Sequence, residues 1–214
     1  MNTMYKLFFD TETSGLDKDA HNLLTAYFAV CDDSLNVIDD LYLQLKPSDL
    51  SKINVTEEAM RINKINLKEH LEDKNTLTYE DASRRLIDFF EKHKISGKKK
   101  SLQPCGHNIS FDKDFIHKQL MPKEVWEKYV HYRTLDTSTA CALLKDWDML
   151  PEYVGSLTSL VDYYRIPMRE AHHAKSDVLM NIEVYKYMKN MMKIKKKNIS
   201  GIVSNNTLLE IVEE

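Results

Sequence analysis

Apolar and polar positions follow two rhythms along this chain, and the change from one to the other divides it into elements. The first run, Leu7-Phe8-Phe9, is continuously apolar and stops at Asp10-Thr11-Glu12, which predicts a buried strand with a polar end. Asn22 to Cys31 is mostly apolar and predicts a second buried strand, broken by Asp32-Asp33-Ser34. Val37, Ile38, Leu41, Leu43 and Leu45 resume with partial alternation up to Pro47, so strands two and three are expected to form a hairpin around that acidic turn. Three strands precede any long helix.

The rhythm then lengthens. Thr56, followed by Glu57 and Glu58, predicts a capped short helix through Met60. Thr78, with Asp81 three residues on, opens a stronger helix ending near Lys94, in which Tyr79, Ala82, Leu86, Phe89 and Phe90 fall close to helical spacing. From Ser101 the pattern is extended as far as Cys105-Gly106-His107-Asn108, where His107 and Asn108 cap a helix carrying Phe111, Asp112 and Phe115. His131 to Leu135 reads as a short strand, Asp136 as the cap of a helix from Thr137 through Leu144, and Ser156 as the cap of one from Leu157 to Tyr164, which Pro167 stops. A last helix reaches about Met192, with Ala174, Val178, Ile182, Tyr185, Met188 and Met192 toward the core.

At 214 residues the chain suits one domain. We place it at 1–192, followed by a lysine-rich tail, 193–214, that is a candidate for disorder with one docking turn at Leu208, Leu209, Ile211 and Val212. The net charge of -3 excludes a global basic field, so nucleic-acid contacts must be local. The lysines at 98–100 and 195–197 read as solvated runs. Three widely spaced cysteines offer no zinc pattern. No apolar run has the length of a signal peptide or a membrane span, so a soluble protein of the cytoplasm or another intracellular compartment is expected.

Candidate chemistry lies where the apolar runs end. Residues two apart in a strand share a face, so Asp10 and Glu12 would present repelling oxygens side by side unless a hard divalent cation lay between them. Taken alone, the stretch also reads as a strand running into a turn whose conformation Gly15 supplies. Asp112 on the first turn of one helix, and Asp177 on another preceded by His172-His173, decide between the two readings by joint occurrence. Four carboxylates and a histidine suit phosphoryl chemistry with two Mg²⁺ or Mn²⁺ ions, in which Asp10, Glu12, Asp112 and Asp177 bind metal and a histidine activates water.

Asp10-x-Glu12 followed by Thr13-Ser14-Gly15-Leu16, then His107-Asn108-x-x-Phe111-Asp112-x-x-Phe115, then His172-x-Ala174-x-x-Asp177 resemble the three motifs of the DEDDh branch of the DnaQ-like (ribonuclease T and DNA polymerase III epsilon-like) 3′-5′ exonucleases. The resemblance covers residues 4 to 192, with Ser14 standing where a threonine is common. It implies an α/β, ribonuclease-H-like fold, a central mixed five-stranded sheet flanked by helices. It implies two-metal hydrolysis of terminal phosphodiesters of single-stranded or frayed DNA or RNA, releasing nucleoside 5′-monophosphates. Ser14, Gly15 and Leu16 would contact the terminal nucleotide, Leu16 as a wedge, and a polymerase or other replication or repair protein is a candidate partner. His172 lies five positions before Asp177, the DEDDh spacing, whereas His173 lies four before it, where the sister branch carries tyrosine. His172 is therefore the expected base. The rival reading is a catalytically silent nucleic-acid-binding or polymerase-associated module of the same fold.

Overall fold

The computed structural model describes residues 4–98, 100–167 and 172–204, with backbone alone from 193 onward. In chain order the elements are β1 (Tyr5–Thr13), β2 (Leu23–Cys31), β3 (Val37–Lys46), α1 (Glu57–Asn63), α2 (Leu67–Glu72), β4 (Leu77–Thr78), α3 (Tyr79–Lys92), β5 (Leu102–Gly106), α4 (Ile109–Phe115), α5 (Lys123–Trp126), β6 (Leu135–Asp136), α6 (Thr137–Asp146), α7 (Leu157–Tyr163) and α8 (Ala174–Ser204). The strands form one mixed sheet in the order β4-β3-β2-β1-β5-β6. β1, β2 and β3 make an antiparallel meander, and β5 and β6 follow in parallel on the far side of β1. Six strands replace the expected five, because Leu77–Thr78 adds to β3 a strand too short to show any periodicity.

Alternation along β1 sends side chains to both faces. Leu7 and Phe9 join Leu86 and Phe90 of α3, Ile109 and Phe115 of α4, and Trp126 on one face. Phe8 joins Ala174, Val178 and Ile182 of α8 on the other. β2 is buried at all nine residues, as an unbroken apolar strand covered on both faces must be. A third cluster ties α8, through Met180, Val184 and Met188, to Cys141 and Leu144 of α6 and Leu160 and Val161 of α7.

The caps read from sequence are present at α1, α3 and α7, where Thr56, Thr78 and Ser156 accept from the backbone N–H three residues on. Asn108 differs. It sits at the start of α4 with φ 57° and makes no side-chain cap; instead Asp136 accepts from the backbone N–H groups of Asn108 and Ile109 as well as Ser138 and Thr139. One carboxylate thus caps both α4 and α6. The expected strand from His131 shrinks to Leu135–Asp136, because the His131 side chain accepts from the Arg133 N–H at 3.1 Å and competes with ladder pairing. α8 continues past Met192, whose side chain is exposed instead of core-facing. The docking turn at Leu208 to Val212 lies outside the described residues. No helix among the described residues is long and apolar enough to cross a membrane.

Candidate active site

The site forms where β1 leaves the sheet. Asp10 and Glu12 pair with Tyr27 and Thr25 of β2, and the register slips just after Glu12. By alternation both point to the same face as Phe8, the face that α8 covers, so Asp177 in the first turn of α8 meets them. One oxygen from each of Asp10, Glu12 and Asp177 lies within 4.8 Å of the others. Asp112 stands outside this trio. It rises on α4 from the opposite face and accepts a 2.6 Å hydrogen bond from the Thr11 hydroxyl, the neighbour that alternation turns toward α4.

These carboxylates are destabilised as anions. Burial, then repulsion from Asp112, Glu12 and Asp177, holds Asp10 well above the usual carboxylate range. Burial, with Asp177 and Asp112 behind it, pushes Glu12 up to about 8. Burial lifts Asp112 to about 7 against the opposing Thr11 bond. Asp177 is also raised by burial, opposed by His172. Uncompensated negative charge of this density fits a divalent cation held by hard oxygen donors.

The adjacent histidines diverge. His172 is exposed, takes φ 61°, and donates its backbone N–H to Asp177 Oδ2 at 3.1 Å. His173 is half-buried, stacks on the Tyr42 ring at 5.6 Å and 9°, and its buried Nδ1 has no partner among the described residues. The two can therefore serve different ends.

At the turn the three expected substrate contacts separate. Leu16 is 83% exposed at the rim. Ser14 is buried, and its groups are engaged within the protein: N–H to the Asn22 carbonyl, hydroxyl to the Asn54 carbonyl, carbonyl from the Thr56 N–H. The Ser14 side chain therefore anchors the turn. Gly15, read as supplying the turn conformation, does not have a left-handed φ. Space explains it instead, because a Cβ there would come within 2.5 Å of the His21 ring, which accepts from the Asp17 N–H. Gly15→Ala is expected to cost about 1–3 kcal/mol by overpacking, seen calorimetrically as a drop of several degrees in Tm; an unchanged Tm would refute this account of the glycine.

Two groups at the site escaped the sequence reading. Thr11 was legible in principle, since strand alternation alone places it opposite Asp10 and Glu12. Asn181, one turn beyond Asp177 on α8, is 3% exposed and donates to Thr137 Oγ1 at 2.7 Å. No motif marked it.

A family model described as exonuclease, of the RNase T type, matches residues 7–185. Among curated relatives, the oligoribonuclease of Photobacterium profundum is 31% identical over 66% of this chain and 75% of its own length. That of Acinetobacter baylyi is 27% identical over 88% and 94%. Solved structures of exonuclease I share the fold. One superposes with a TM-score of 0.71 at 20% identity, covering 88% of this chain and 41% of the other. E. coli exonuclease I in complex with a dT13 oligonucleotide gives 0.69 at 17%, covering 94% and 44%. The chain thus spans about two fifths of the exonuclease I chains and most of the oligoribonucleases.

Proposed function

The chain belongs to the RNase T exonuclease family and is a 3′-5′ exonuclease; from that premise we propose that it binds two Mg²⁺ or Mn²⁺ ions among Asp10, Glu12, Asp112 and Asp177 and shortens small single strands to nucleoside 5′-monophosphates. The observation carrying this reading is the convergence of three half-buried carboxylates within 4.8 Å beside an exposed histidine and an exposed rim leucine.

When bound, two such ions stabilise charge on the attacking and leaving oxygens of an in-line displacement. The chain's own residues do the rest. Asp10, Glu12 and Asp177 hold the cations, and Asp112, fixed by Thr11, completes the acidic set. His172 takes the proton of the attacking water, its place set by the bond from its backbone to Asp177. Leu16 packs against the terminal base. Relatives matched over most of their length are named oligoribonucleases, and a net charge of -3 gives little attraction for a long phosphate backbone. Both favour short RNA. The silent-module reading is disfavoured because all four carboxylates and His172 are retained at the site.

The test uses end-labelled RNA and DNA strands a few nucleotides long, incubated with Mn²⁺. Stepwise loss from the 3′ end to 5′-mononucleotides is expected, faster on single strands than on blunt duplex because unpairing a terminal base costs a few kcal/mol. EDTA should abolish it. Internal fragments from a circular single strand would show an endonuclease, and binding without loss would show a silent module.

A further inference from the structure

Behind the carboxylates lies a cavity of about 10 Å³, lined in part by Asp10, His107, Asp177 and Asn181. That is the room one water molecule needs. The orientation of Asn181 is fixed by its neighbours. The one hydroxyl proton of Thr137 has two acceptors other than Asn181, the Gly106 carbonyl at 3.1 Å and His107 Nδ1 at 3.0 Å, and with that proton given to either, Thr137 accepts from Asn181. The Asn181 amide nitrogen therefore faces Thr137 and its carbonyl oxygen is left for the cavity. That Oδ1 is buried and has no partner among the described residues, a costly state for an acceptor. On the other side, Asp10 lies among three other carboxylates, Asp112, Glu12 and Asp177, that repel its charge.

We propose that Asn181 is a positioning residue for Asp10: a single water in this cavity donates one O–H to Asn181 Oδ1 and the other to the Asp10 carboxylate, fixing that carboxylate for its cation. The inference rests on the reading of Asp10 as a metal ligand. It explains why a polar side chain stands on the buried face of α8 one turn past Asp177, where packing alone would favour an apolar residue. Groups that orient a metal ligand in this way change metal affinity when they are lost, typically by about 10- to 100-fold.

Mn²⁺ binding to the full chain without nucleic acid, followed by electron paramagnetic resonance, tests it. Asn181→Leu keeps the branching at Cγ but is bulkier and removes the acceptor, and should weaken Mn²⁺ binding about 10- to 100-fold. Asn181→Ser keeps a hydroxyl and room for water, and should restore most of the affinity. A high-resolution crystal structure of the unaltered protein should show the water between Asn181 and Asp10. Asn181→Leu protein that binds Mn²⁺ as tightly as the unaltered chain, or a dry cavity, overturns the proposal while leaving the metal site standing. Should Asn181→Leu not fold, affinity in the serine variant as weak as that of Asp10→Asn overturns it. Failure of the unaltered chain to bind Mn²⁺, or Asp10→Asn binding normally, removes the metal reading and the proposal with it.

Discussion

Asp10→Ala or Asp177→Ala is expected to abolish nucleotide release, by roughly 10³-fold or more, since metal-ion charge stabilisation is worth several kcal/mol and each 1.36 kcal/mol is about tenfold in rate. Both residues belong to the trio whose oxygens converge within 4.8 Å, so either change deletes a ligand and relieves repulsion at once. The second effect gives the prediction a readout independent of activity. In the metal-free protein, burial and repulsion raise Asp10 and Glu12, and burial raises Asp177, above their unfolded values. Carboxyls raised in this way contribute stability that is complete below the unfolded value and is lost as pH rises through the folded one. For Glu12 that window runs from its ordinary value of 4.5 to about 8. Metal-free Tm should therefore fall between those limits, less steeply in either alanine variant, and added Mn²⁺ should restore it in the unaltered protein alone. Full turnover in either variant would end the assignment of a shared metal site.

His172→Ala is expected to slow the chemical step by about 10² to 10⁴, the usual span for a lost general base, whereas His173→Ala should cost much less. The structural difference between the two supports this order. His172 is exposed, on a left-handed turn tied to Asp177, while His173 lies flat against Tyr42. Single-turnover rates at saturating Mn²⁺ compare the two variants after metal binding is complete. A larger loss in His173→Ala would mean the base is the stacked histidine.

Much of the fold was legible because it is encoded locally. The unbroken apolar run of β2 announces a strand covered on both faces. The polar residues before α1, α3 and α7 bind the N–H groups expected of caps. Failures came where an interaction crosses the chain. Asn108 resembles a cap in sequence, yet Asp136, twenty-eight residues later, performs that task. β4 is set by pairing with β3, and a two-residue strand carries no period to read.

What the sequence determined by itself is the order of the elements and the identity of the acidic residues, because periodicity, capping and motif spacing are properties of neighbours along the chain. Tertiary structure alone decided which of those residues meet. Asp10 and Glu12 face α8, whereas Asp112 comes from the opposite face and is held by Thr11 across 101 residues. Ser14 turns inward, Gly15 is dictated by the His21 ring, and Asn181 faces a cavity beside Asp10. Each depends on how two distant segments pack, and distances of a few ångströms between such segments are set by the packed sheet and its helices together.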